Sequence, residues 1–294
     1  MKRSQFVEHV AWTGAGIAYT LASAGSLVGC AVADAPGAVD FVQISDSHVG
    51  FHLPANPDVL GTLKQAVDAI NALPQAPAFV VHTGDITHLS TPKQFADAKD
   101  VLSALKVPLI ALPGEHDVIG NDFKPYLANF RIPQAEPGGW ATWENGGIRF
   151  IALLNVFNFE KMGLLGSDQL TWLQGVVSGL KPSQPIVVLT HVPLYALFPT
   201  WGWTTEDGAK ALAMFSRFDN VTLLNGHIHQ IITHTEGNLH FASADATAYP
   251  QPKPGAADKP GPVTLPHDDL LRAIGYRTVS ADGNGARFED HPLG

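Results

Sequence analysis

The sequence predicts an α/β fold built on βαβ units. Three observations carry that expectation: short β-rich apolar runs, helical-period apolar stripes between them, and Gly, Pro, Asn or Ser at the changeovers. Val39 to Ile44 is the first such run, followed by a Pro-containing loop and then by Val59, Leu60, Leu63, Val67, Ile70 and Leu73 at helical spacing. Phe79 to Val81 reads as a buried strand, Pro92 suits a helix start, and Phe95, Ala98, Leu102 and Leu105 continue a helical stripe. Val107 to Leu112 gives a third strand. Two helices between three short strands imply a parallel sheet, with functional loops at the strands' C-terminal ends. Further along, Asn145-Gly146-Gly147 signals a hairpin between Trp140–Trp143 and Ile148–Leu154, and Ser167 is expected to cap a helix carrying Leu170, Leu173, Val177 and Leu180. A strand over Ile186–Leu189, a helix from about Glu206 to Phe218 and a strand over Val221–Leu224 follow. Asn238 sits in a turn between strand-like runs, Tyr249 to Pro266 reads as a long surface loop, and Arg272 to Val279 as a final strand.

Composition narrows what such a domain binds. Of 294 residues, 45% are apolar and 15% charged, which excludes a disordered chain. The formal charge of −9, with no basic stripe, argues against a nucleic acid duplex as partner. A single cysteine, Cys30, cannot form an intramolecular disulfide, so any bound metal must use His and carboxylates. Residues 1–33 have the outline of an export signal: early basic residues, then an uncharged apolar run from Val10 to Ala33 diluted by Ala, Gly and Ser. Within it, Leu27-Val28-Gly29-Cys30 resembles a lipoprotein box, making Cys30 the residue for a lipid tether to the membrane. Ala31-Val32-Ala33 resembles a signal-peptidase site, and Arg3-Ser4-Gln5-Phe6-Val7 resembles a twin-arginine signal with Ser4 in place of the second arginine. The expected localisation is exported, either periplasmic or as a cell-envelope lipoprotein, with residues 34–294 forming the folded domain.

The chemistry gathers at strand ends. Five of them terminate in ligand-type residues: Asp46-Ser47-His48, Gly84-Asp85, Gly114-Glu115-His116-Asp117, Thr190-His191 and Gly226-His227-Ile228-His229. In an extended chain residues two apart face the same way, so each D-x-H or H-x-H pair can serve one site together. Imidazole and carboxylate together suit Zn, Mn or Fe, and Asp85 is the carboxylate expected to bridge two ions.

In this order the segments resemble the calcineurin-like metallophosphoesterase pattern of D-x-H, G-D, G-N-H-[D/E], H and G-H-x-H, and in style its bacterial cyclic-nucleotide phosphodiesterase-type branch. The resemblance spans Asp46 to His229 and implies a two-sheet β-sandwich flanked by helices, with a dinuclear metal centre. Carried over residue by residue, it puts metal 1 on Asp46, His48, Asp85 and His229, and metal 2 on Asp85, Glu115, His191 and His227. It implies a metal-bridging hydroxide as nucleophile, His116 as the group facing the scissile phosphate, Asp117 as the residue orienting His116, and a small-molecule phosphomonoester or phosphodiester as substrate. One position departs: the family asparagine is Glu115. With two divalent ions, Asp46, Asp85, Glu115 and a hydroxide sum to zero charge, where asparagine would leave plus one. Either a changed metal, with trivalent iron restoring the balance, or a changed substrate follows.

The remaining polar residues read more plainly. His82 is expected in the core, His52 and His88 as neighbours of the site or as surface, and Asp207 and Asp245 as solvated or capping carboxylates. The run Tyr195, Phe198, Trp201, Trp203 is expected on a loop overhanging the metals, either stacking on a flat substrate or burying itself. Two other functions stay open: an exported metal-binding protein with catalysis quenched by Glu115, and a metal-free substrate-binding protein.

Overall fold

Alternation decides the layers. The computed structural model describes residues 18–21, 27–30, 37–119, 123–130, 132–157 and 162–294. The expected export segment thus lies largely outside the described residues, where only β1 (Ala18–Leu21) and β2 (Leu27–Cys30) are described, paired antiparallel. In β3 (Val39–Ile44), Val39 and Phe41 turn into a core shared with the opposite sheet, while Val42 and Ile44 turn outward onto helices. Those helices are α1 (Val59–Asn71), whose N-cap Asp58 accepts from the Gly61 amide, and, after β4 (Val80–His82), α2 (Pro92–Leu102), capped by Thr91. After β5 (Leu109–Ala111), the short α3 (Lys124–Asn129) places Tyr126 and its neighbour Phe130 in the same outer core as Leu63, Val67 and Phe95.

The second half repeats the arrangement. β6 (Ala141–Asn145) and β7 (Ile148–Ala152) form the hairpin, then α4 (Ser167–Ser178), β8 (Ile186–Leu189), α5 (Gly208–Phe215) and β9 (Val221–Asn225) follow. β10 (Thr233–Glu236) and β11 (Leu239–Ser243) complete a sheet of order β10-β11-β9-β8-β7-β6. The chain then returns through α6 (His267–Arg272) and the hairpin β12 (Gly275–Asp282) and β13 (Gly285–Pro292), extending the first sheet to β13-β12-β3-β4-β5. The result is a two-sheet sandwich with helices outside both sheets. The parallel runs β3-β4-β5 and β7-β8-β9-β11 point their C-terminal ends at a common edge of loops.

Some boundaries differ from expectation, for local reasons. Ser167 is the first helical residue and not the cap; Gly166, at φ 83°, turns the chain into α4. β13 escaped the sequence reading because it forms the sheet edge and few of its side chains are covered, which leaves no alternating apolar signal.

Between the sheets, Phe150 packs its ring against Phe41, Phe79 and Trp143 at centroid distances of 5.5, 5.3 and 5.3 Å. It is fully buried. Phe150→Ala is therefore expected to cost about 3–5 kcal/mol in denaturant unfolding, with unchanged metal content at temperatures below the transition.

Candidate metal centre

Seven candidate ligands converge on the loop edge, and the backbone bends sharply to bring them there. Asp46, His48, Asp85, His227 and His229 all have positive φ, between 42° and 69°, in the left-handed region that costs a non-glycine residue about 1–3 kcal/mol. Hydrogen bonds between loops hold these bends. The Asp46 and His48 amides donate to the Gly84 and Asp85 carbonyls at 2.9 Å each, and the His227 amide donates to both Asp46 carboxylate oxygens at 3.1 and 3.2 Å. Gly84, at φ 105°, has no room for a side chain, since a Cβ there would strike the His191 ring. Gly114 is similarly confined, by the Asp85 carboxylate.

The bends also decide how the pairs divide. Asp46 and His48 do stand together, in a buried group with His229. His227 does not join its neighbour His229: it belongs to a second buried group with Glu115 and His191. Spacing alone allowed both histidines in one site on extended backbone, but the left-handed turns at His227 and His229 break that alternation and divide them as the family resemblance implies. Asp85 lies between the groups, its Oδ2 3.6 Å from His48 Nε2 and 3.5 Å from His191 Nε2.

Ring orientation suits ligation. His191 Nδ1 donates to the Thr83 carbonyl at 2.7 Å and His229 Nδ1 to the Tyr249 carbonyl at 2.6 Å, so each presents Nε2 to the centre. Glu115 reaches between two rings, Oε2 2.9 Å from His191 Nε2 and Oε1 3.0 Å from His227 Nδ1. These contacts are close but poorly aligned for hydrogen bonding, and Glu115 Oε2, His191 Nε2 and both ring nitrogens of His227 lack a hydrogen-bond partner. Buried polar atoms so arranged are costly unless something satisfies them, and a cation among carboxylates and imidazoles does so. The donor set fits metal.

Charge is concentrated accordingly. Burial alone would raise the carboxyl pKa values, but His229 and His191 bring Asp46 down to about 2, and His227 and His191 hold Glu115 well below the usual range. Burial would discharge His191, yet Asp85 and Glu115 raise its pKa well above normal. His48 stays neutral, depressed by burial and then by His116, His229 and His88.

His116 sits beside the groups, its amide donating to Asp85 Oδ1 at 2.9 Å and its Nδ1 to the His88 carbonyl at 2.7 Å. Asp117 has a different task from the one expected. Its carboxylate accepts from the amides of Gly114, Ile86 and Thr87 at 3.0, 2.9 and 2.7 Å and from the Thr87 hydroxyl at 2.8 Å, tying two loops together; the His88 carbonyl orients His116. His82 is a core residue, its Nε2 2.7 Å from Ser47 Oγ. Asp207 binds the Leu165 and Gly166 amides at 2.8 and 2.9 Å, whereas Asp245 is half-buried, and burial, then Asp290, pushes its pKa up to about 7.

A cavity of about 390 Å³ is lined by residues of both groups and also by Phe51, Leu53, Met162, Trp201, Trp203 and Pro262, which form its apolar wall. Of the loop expected to overhang the metals, Trp201 and Trp203 reach this wall, while Tyr195 packs on Phe241 at 4.5 Å. Tyr249 was missed in the sequence. Its ring stacks on His48 at 5.0 Å while its carbonyl fixes His229, and a lone tyrosine opening a Pro-rich loop gives no spacing signal of either. Asp117→Ala should strip three loop amides of their acceptor, lowering stability by about 3 kcal/mol and metal content with it; calorimetry and elemental analysis on one preparation check the joint loss.

Comparison with known proteins bears on the family and the fold. The family model described as calcineurin-like phosphoesterase matches residues 39–231. A glycerophosphodiester phosphodiesterase, GpdQ, of Enterobacter lignolyticus is 27% identical over 260 residues, covering 84% of this chain and 91% of that protein. A 3',5'-cyclic-nucleotide phosphodiesterase of Nostoc is 26% identical over 171 residues, 57% of this chain and 61% of that protein. Among solved structures, a dimetal phosphatase from Danio rerio superposes with a TM-score of 0.65 at 14% identity, covering 87% of this chain and 96% of that one. With the family model matching most of the chain and the same architecture in the described residues, the protein belongs to the calcineurin-like phosphoesterase family.

Proposed function

We propose that the protein hydrolyses small-molecule phosphoesters with two metal ions, one held by Asp46, His48 and His229, the other by Glu115, His191 and His227, and with Asp85 shared between them. The observation that carries this reading is the placement of the Asp85 carboxylate 3.6 and 3.5 Å from one histidine of each buried group. Ions in these groups would supply Lewis acidity, an activated water and positive charge for the phosphoryl group. The chain supplies the rest. His116 Nδ1 is committed to the His88 carbonyl, so a proton passed to the leaving oxygen comes from Nε2. Burial opposes charge on this ring, but Asp85, Glu115, the His88 carbonyl and Asp117 together raise its pKa and keep the acid form available. The cavity's apolar wall accommodates the organic part of the ester, while its floor of His and carboxylate side chains takes the phosphate.

Elemental analysis of the purified protein, paired with a panel of aryl mono- and diesters, tests the proposal. Two metal equivalents with ester hydrolysis support it, and Asp85→Ala should lose most of both. Metal without hydrolysis of any ester would favour the second reading, in which the Glu115 carboxylate quenches catalysis. Export, inferred from residues 1–33, is tested separately by the mass of the mature N-terminus and by cell fractionation.

His116→Ala should keep its metal while kcat falls by roughly a hundredfold or more, the share expected of a positioned acid. Because the wild-type ring has a raised pKa, kcat should decline as pH rises through that value, and this alkaline limb should be missing in the variant; loss of metal instead would make His116 a ligand.

Glu115→Asn removes one negative charge from beside the phosphate. With divalent metal supplied, diesterase rate should rise about tenfold, a unit charge in a partly buried site being worth on the order of 1–3 kcal/mol. A fall in rate with selective loss of iron would show that Glu115 selects a trivalent ion, and no change in rate or metal content would place its carboxylate away from the metals.

A further inference from the structure

His88 lies outside the five ligand motifs yet touches both His48, in one of the metal groups, and the acid His116. Its backbone is pinned: its amide donates to the Val49 carbonyl at 3.0 Å, and its carbonyl accepts from His116 Nδ1 at 2.7 Å. Its ring does two further things. It stacks on the His116 imidazole, with centroids 4.9 Å apart and planes 16° from parallel, and its Nδ1 lies 3.4 Å from Nδ1 of His48.

Proton placement follows from chemistry. Between two facing ring nitrogens, only one carries the hydrogen. His48 Nε2 faces the centre, 3.2 Å from His229 Nε2 and 3.6 Å from Asp85 Oδ2, and must be bare to ligate a metal. The proton of neutral His48 then sits on Nδ1 and is donated to His88, whose own proton sits on Nε2. A metal-ligating histidine commonly donates its second nitrogen to a carbonyl or carboxylate, as His191 and His229 do here; His48 has an imidazole in that place.

We infer that His88 is a positioning residue with two separable tasks: its Nδ1 fixes the metal-ligating tautomer of His48, and its ring face seats the His116 imidazole. The inference rests on His48 being a metal ligand, as proposed above. Because the His116 hydrogen bond uses the His88 carbonyl, substitution of the side chain leaves that bond in place and isolates the two tasks of the ring.

Two variants divide them. His88→Gln keeps an acceptor without the ring, and His88→Phe keeps a ring face without the acceptor. Zinc alone is titrated into metal-free wild type and both variants in competition with a chromophoric chelator, alongside the melting temperature of the metal-free proteins and kcat and KM at saturating metal. The Phe variant should bind one of its zinc equivalents about tenfold or more weakly, while the Gln variant binds zinc like the wild type. The Gln variant should show the larger fall in kcat, with KM little changed in either. Equal zinc affinity in all three proteins overturns the tautomer task, and an equal loss in both variants with lowered melting temperature reduces His88 to a structural residue and overturns the inference. Separated zinc affinities without hydrolysis of any ester would uphold the tautomer task while overturning the phosphoesterase reading. A wild type that binds no zinc or other transition metal overturns both.

Discussion

The centre depends on backbone hydrogen bonds between neighbouring strand-end loops. Parallel strands deliver Asp46, Asp85, His191 and His227 to one edge, but delivery alone leaves their side chains pointing along different directions. The amides of Asp46 and His48 lock onto the carbonyls of Gly84 and Asp85, and the His227 amide locks onto the Asp46 carboxylate. Those bonds hold four of the five left-handed ligand positions, Asp46, His48, Asp85 and His227, a strain that persists only where the surroundings over-determine it. Asp117 does the same work across loops, binding the amides of Ile86, Thr87 and Gly114 with one carboxylate. The ligands are thus pre-placed by their loops.

Electrostatics then gives each side chain its state. A buried carboxylate beside imidazoles is held ionised, as Asp46 and Glu115 are, and carboxylates beside a buried imidazole raise its pKa, as Asp85 and Glu115 do for His191. His48 sits among other histidines and stays neutral. With opposite charges this close and buried, the group is balanced only as a set, so the carboxylate at position 115 changes the charge of the whole set. The glutamate side chain also reaches two imidazoles at once, at 2.9 and 3.0 Å, and so belongs to the ligand group by geometry as well as by charge.

Much of this was legible in the chain. The βα alternation from Val39 to Leu224 follows from helical and strand periodicities that depend only on local side-chain direction, and the layered sandwich observed here agrees with it. The ligand types at five strand ends were visible because strand ends are marked by composition: an apolar run stops and Gly, Asp or His follows. Less legible were elements without an apolar face, such as the edge strand Gly285–Pro292, and contacts between residues far apart in sequence, such as the Tyr249 ring on His48.

Residue type and order are enough to specify the fold class, the family and the identity of the residues gathered at the loop edge. The folded chain shows how His227 and His229, two residues apart, turn into the different groups that the family resemblance implies, that Asp117 ties loops while the His88 carbonyl holds His116, and that Tyr249 enters the site. Two physical reasons cover these three findings. Left-handed backbone at a non-glycine residue is disfavoured locally and exists only because hydrogen bonds from remote loops enforce it, and no local periodicity encodes a bond between residues that the chain separates by forty or by two hundred positions.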